Sequence, residues 1–198
     1  MPEKIIGGIT GNPGCGKTTV SKMFSELGYN LIDADRVCHE LYENNSSFCG
    51  EIIKNFGNSI VENGKINRKE LAEIVFNNPE KYKRLNKITW PSIEEKIKEL
   101  IGKYESPILI DAAILIEADW NKYIDFLITV DADPEKRYER MSKKGFNNEI
   151  IGKIEKCQIS QKAKKQCADY VIDNNSSLEN TRKQVERIDK ALRGIYKF

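Results

Sequence analysis

Apolar residues in this 198-residue chain fall in short runs separated by longer stretches of helical period. Residues 5–10, 29–32, 108–110, 126–130 and 170–172 are rich in Ile, Val and Leu, and the last four runs give way to Asp33, Asp111, Asp131 and Asp173. Runs without alternation predict strands buried on both faces, as in a parallel sheet. Between them, residues 19–27 read as a helix ending at Gly28, and 134–144 as a charged helix broken by Gly145-Phe146-Asn147. A second, basic helix then runs to about Lys165. The stretch from Leu178 to about Arg193 carries Val185, Ile188, Ala191, Leu192 and Ile195 at the spacing of an amphipathic helix packed on the sheet. Strand–helix alternation predicts an α/β fold: a doubly wound, five-stranded parallel sheet with right-handed crossovers.

The connection from Asp33 to Ser106 is too long for one crossover. Its pattern is helical over 34–43, 47–56, 68–76, 80–89 and 92–104, with an Asn63-Gly64 turn between Ile60-Val61 and Ile66. Pro79 and Pro91 are placed to begin helices. We read 36–105 as an inserted helical subdomain covering a second substrate, within a single domain over 1–198. Residues 140–166 are expected to form a lid hinged near Gly145.

The first strand runs into Gly11-Asn12-Pro13-Gly14-Cys15-Gly16-Lys17-Thr18, which fits G-x-x-x-x-G-K-[ST] between a strand and a helix. The glycines allow backbone N–H groups to turn around a polyphosphate, and the helix N-terminus adds its own donors and dipole. Lys17 supplies a point charge for the β- and γ-phosphates, and the Thr18 hydroxyl a ligand for Mg²⁺. Asn12, Pro13, Gly14, Cys15, Gly16, Lys17, Thr18 and Thr19 are therefore the expected nucleotide contacts, and ATP with Mg²⁺ the expected cofactors. Spacing does not choose ATP over GTP.

Asp33-Ala34-Asp35 follows the second strand at once, at the strand end where open parallel sheets bind ligands. Phosphoryl transfer to an alcohol needs a carboxylate to orient the hydroxyl and accept its proton. The alternative is a helix cap. Asp111 ends the third strand, where a carboxylate could hold Mg²⁺ through water. The apolar run Ala112-Ala113-Ile114-Leu115-Ile116 before Glu117 is too apolar for a surface loop; it lines the acceptor pocket or packs beneath it. Arg137 and Arg140 lie one turn apart on the charged helix, and Arg140 is the stronger candidate for a nucleotide contact.

Composition narrows the class. Lys+Arg 32 against Asp+Glu 30 is close to balance, so no field argues for nucleic acid or a membrane as partner. No stretch approaches ~18 apolar residues and no signal pattern opens the chain, so a soluble, cytoplasmic protein is expected, monomeric or weakly self-associating. Five cysteines without C-x-x-C spacing speak against disulfides and structural zinc. Cys15 is read as a packing choice, and the only histidine, His39, makes a His-based triad a poor reading.

In combination these segments resemble the dephospho-coenzyme A kinases, P-loop kinases of the nucleoside-monophosphate-kinase type. The resemblance rests on Ile9-Thr10-Gly11 through Lys17-Thr18-Thr19-Val20, on Gly28 to Ile32-Asp33-Ala34-Asp35, and on Phe56-Gly57. It continues through Asn63-Gly64-Lys65-Ile66-Asn67-Arg68 with Leu71-Ala72 and Val75-Phe76, and Leu85-Asn86-Lys87-Ile88-Thr89-Trp90-Pro91. Asp111 to Glu117 and Ala168-Asp169-Tyr170-Val171-Ile172-Asp173-Asn174 complete it. It implies transfer of the ATP γ-phosphate to the 3′-hydroxyl of the dephospho-CoA ribose, with Asp33 as base and Lys17 and Arg140 completing the catalytic set. Acceptor contacts are implied at Asp33, Asp35, Arg68, Trp90, Asp111, Leu115 and Glu117. The chain departs from that pattern at Trp90, where the family carries His, and at Ala113, where it carries Pro. Lysine or glutamine (Lys144, Gln161, Lys164, Lys165) stands where lid arginines are usual. A nucleoside monophosphate kinase and a non-catalytic nucleotide-binding protein are the competing readings.

Overall fold

The computed structural model describes residues 4–198. They form two compact units: the chain up to Asp33 together with Ile101–Phe198, and Ala34–Leu100. In the first, five parallel strands lie in the order β2-β5-β1-β6-β7. These are β1 (Ile6–Thr10), β2 (Asn30–Asp33), β5 (Ile108–Asp111), β6 (Phe126–Asp131) and β7 (Tyr170–Asp173). The expected doubly wound sheet is present, and its strands end at the aspartates read from the sequence.

Helices α1 (Lys17–Glu26) and α9 (Leu178–Tyr196) pack with the sheet around Ile9, Val20, Phe24, Leu109, Ile128, Ile172, Val185 and Leu192. Each such side chain contributes roughly 1.5–3 kcal/mol when taken from water. Of the apolar positions read for α9, Val185, Ile188 and Leu192 are buried, whereas Ala191 and Ile195 face solvent. The stripe is narrower than the pattern implied because it advances through 181, 185, 188 and 192 on one helix face. At the sheet edge, the Gln184 side chain bonds both the N–H and the carbonyl of Asp173, at 2.9 and 2.8 Å.

The basic stretch after α6 (Pro134–Lys143) forms two helices rather than one: α7 (Asn148–Lys156) and α8 (Gln161–Cys167). Ser160 begins the second by accepting the N–H of Ala163, the side-chain competition with the backbone that makes serine a helix starter.

The second unit contains α2 (Ala34–Asn44), α3 (Ser46–Phe56), a hairpin of β3 (Val61–Glu62) and β4 (Lys65–Ile66), α4 (Arg68–Phe76) and most of α5 (Pro79–Lys103). Asn63 and Gly64 have φ of 50° and 74°, the pair of positive values that a tight hairpin turn requires. Pro91 was expected to begin a helix, but it lies inside α5. It forfeits one backbone hydrogen bond, while Thr89, Ile93 and Ile97 carry one buried stripe through that point.

Candidate active site

The segment between β1 and α1 is a loop held from outside. The Arg140 guanidinium donates to the carbonyls of Gly14 and Cys15 at 3.3 Å and to that of Asn174 at 2.8 Å. Asn174 donates its Nδ2 to the Cys15 carbonyl at 2.8 Å and accepts the Thr181 hydroxyl at 2.9 Å. Gly16 precedes α1 with φ 97° and has no side chain with which to cap the first donors of that helix. A Cβ there would lie 2.0 Å from the Asn174 amide, and one on Gly14 would lie 2.3 Å from the Arg137 carbonyl. The motif glycines thus serve close approach by α6 and by the segment after β7 as well as backbone conformation. Cys15 is buried, and burial pushes its thiol up from the ordinary range.

Two loop amides already have partners. The Cys15 N–H bonds the Asn12 carbonyl at 3.1 Å, and the Asn12 N–H is taken by the Gln161 side chain at 2.9 Å. Gln161 also donates to the Val130 carbonyl at 2.8 Å, so in this conformation it bridges the loop to the end of β6.

Lys17 opens α1 and bonds Asp111 at the end of β5. The other Asp111 oxygen accepts the buried Ser21 hydroxyl at 2.7 Å. Asp111 is paired in register with Ile9 of β1 on one side and Asp33 of β2 on the other. Residues in register on parallel neighbours project to the same face, so the sheet sets the carboxylates 33 and 111 side by side next to the lysine. Thr18, exposed, and Thr19, half-buried, follow Lys17 in the first turn of α1. Asp35 lies in the first turn of α2, where the helix dipole favours a carboxylate.

The segment after β5 is tied to α8. Lys164 has no exposed surface; its ammonium donates to the Ala113 carbonyl and to the Gln158 amide oxygen at 3.1 Å, and pairs with Glu117 at 3.4 Å. Burial lowers the Lys164 pKa, and Glu117 opposes that shift. Glu117 also accepts the Ile159 N–H at 3.0 Å. Leu115 is fully buried, its Cδ1 2.7 Å from where a Cβ on Gly8 would stand. Leu115 therefore packs against the sheet in this structure, as the second of the two placements read for residues 112–116 has it. Lys164 lies wholly in the interior, and Lys165 pairs with Asp131 at 2.6 Å.

In the helical unit, Arg68 bonds His39 Nδ1 at 2.6 Å and stacks over the Tyr42 ring at 5.7 Å. Trp90 is half-buried on α5. A trough between α2, α3 and α5 contains adjoining cavities of about 510 and 760 Å³ that share Asn45, Ser92 and Glu95. Neither is lined by Arg68 or Trp90. The sequence did not single out Ser21 or Thr181 and marked Asn174 only as the end of a family-like segment; the pairing of distant segments gives all three their contacts.

A family model described as dephospho-CoA kinase matches residues 5–180. The dephospho-CoA kinase of Aquifex aeolicus is 39% identical over 188 residues, covering 93% of this chain and 96% of that protein. That of Fusobacterium nucleatum is 40% identical over 186 residues, covering 92% and 96%. The solved dephospho-CoA kinase from Campylobacter jejuni superposes with a TM-score of 0.68 at 27% identity, over 96% of this chain and 98% of that one. With sequence likeness running nearly end to end and the phosphate loop set in the same kind of sheet, the chain belongs to the dephospho-CoA kinase family.

Proposed function

We propose that this chain transfers the γ-phosphate of ATP to the 3′-hydroxyl of dephospho-CoA, giving coenzyme A and ADP. The observation that carries the reading is the bond from Lys17 to Asp111, whose register partner on the next strand is Asp33. One cation suited to a polyphosphate and a carboxylate suited to an alcohol thereby share one end of the sheet. In the proposed step the ribose O3′ attacks the γ-phosphorus while Asp33 takes the hydroxyl proton. The bond from phosphorus to the bridging oxygen breaks, and Lys17 stabilises the charge that leaves with ADP.

Arg140 acts on the loop, through the Gly14 and Cys15 carbonyls, so its contribution is to the shape of the phosphate cradle. The Thr18 hydroxyl near Lys17 fits Mg²⁺, a hard cation that takes few protein ligands beside phosphate and water, and Asp111, whose two oxygens accept from Lys17 and Ser21, would face it through water. When bound it would offset charge on the phosphate oxygens. We assign acceptor recognition to the helical unit. Its only arginines, at 36, 68 and 84, are fewer than a cluster for an acceptor phosphate would need, and Arg68 is engaged with His39.

The test is ADP release by the purified protein with Mg·ATP, offered dephospho-CoA and, separately, a panel of nucleoside monophosphates. Turnover with dephospho-CoA alone is expected. Turnover with a monophosphate instead moves the chain to the competing kinase class, and ATP binding without turnover on any acceptor makes it a nucleotide-binding protein.

A further inference from the structure

The Asp111 carboxylate is almost wholly buried, with two oxygens and two different donors: Lys17 on one and the Ser21 hydroxyl on the other. Ser21 itself has no exposed surface and has one proton to give. Its Oγ lies 2.7 Å from Asp111 and 3.0 Å from the Lys17 carbonyl one turn back. That carbonyl already accepts a backbone N–H within α1, and the bond to a carboxylate is the shorter, charge-assisted one. The proton therefore goes to Asp111 and fixes the rotation of its carboxyl plane. With that rotation fixed, the second oxygen faces the Lys17 ammonium.

We propose that Ser21 is a positioning residue of the phosphate site, holding Asp111 and through it Lys17. The assignment rests on the phosphoryl-transfer reading above. It deepens that reading by placing the alignment of the lysine inside α1, one turn beyond the motif. Without the hydroxyl, a buried carboxylate oxygen lacks a donor, and the carboxylate turns to find one, taking the ammonium with it.

The experiment is a double-mutant cycle of Ser21→Ala and Asp111→Ala, read by kcat, by KM for dephospho-CoA and by ADP affinity in calorimetry. Ser21→Ala removes one oxygen and substitutes a strong helix former, so it is expected to fold, with a melting temperature lowered by a few degrees because a buried carboxylate oxygen loses its donor. Its kcat is expected to fall about fivefold or more with KM for dephospho-CoA unchanged, and less than about twofold once Asp111 is already alanine. Ser21→Thr, which keeps the hydroxyl, is expected to recover at least half of the lost kcat. Equal losses in both backgrounds, or no loss in either, overturn the proposal. Should the unaltered chain fail to turn over dephospho-CoA, the same cycle is scored on ADP affinity. Non-additivity there sustains the Ser21 assignment even though the acceptor is wrong, and additivity removes it.

Discussion

At the scale of single residues, the site divides into groups that meet substrate and groups that hold them. Lys17→Ala is expected to reduce kcat by about 100-fold or more, since a preorganised cation in a phosphate cradle acts mainly on the transition state. Asp33→Asn is expected to lose turnover to a similar degree while ADP affinity stays within about threefold of the unaltered chain. Near-normal turnover in Asp33→Asn removes the base assignment. The thiols offer a check that needs no activity. Burial raises the Cys15 thiol and pushes Cys38 up to about 11, whereas Cys167 is exposed. Alkylation at pH 8 followed by mass spectrometry should therefore find Cys167 modified first and Cys15 intact. Cys38 also sets a sign for alkaline stability. Its folded pKa lies above the ordinary 9.0, so the folded chain keeps a proton that the unfolded chain sheds, and stability falls from pH 9 to about 11. Lys17, Thr18 and Asp33 were legible because a short motif or a strand end announces them. Ser21 was not, because a serine inside a helix means nothing until the carboxylate of another strand is placed beside it.

At the scale of elements, the phosphate loop depends on what is built around it. Asn174→Ala leaves the Cys15 carbonyl and the Thr181 hydroxyl without their partner in a buried setting. A loss of roughly 1–3 kcal/mol is expected, read as a lowered denaturation midpoint together with weaker ADP binding. Gly16→Ala is expected to be worse, because its φ of 97° disfavours a side chain and the new Cβ would meet the Asn174 amide. Such an outcome would separate loop geometry from simple backbone freedom. The strands were readable in advance, since residues 5–10, 108–110 and 126–130 are apolar on both faces. Helix limits were less so. Pro91 reads as a start, yet the buried line of Thr89, Ile93 and Ile97 carries α5 through it. Ser160 splits a basic stretch that reads in the sequence as one helix. In both places burial and capping decided what propensity left open. Gln161 and Lys164 show the same for the expected lid. The first clasps the Asn12 amide and the second is wholly interior in this conformation.

At the scale of the whole molecule, the order β2-β5-β1-β6-β7 turns separate motifs into one constellation, because it inserts β5 and its Asp111 between the strands that carry Asp33 and the phosphate loop. Strand order is a non-local property, and no local pattern in the chain states it. Nucleotide binding should register globally. ADP at 100 times its dissociation constant is expected to add about 2.7 kcal/mol to stability, seen as a melting temperature several degrees higher. No helix among the described residues is long and apolar enough to cross a membrane. The ion pair between Lys17 and Asp111 has one more effect, on selectivity. An incoming anion must win the ammonium from a carboxylate already seated beside it. Chloride or a lone orthophosphate offers little to win with, whereas a triphosphate brings several charges and the loop donors at once. The tether is thus expected to favour a polyphosphate over small anions, so that orthophosphate should compete poorly with ADP in calorimetry.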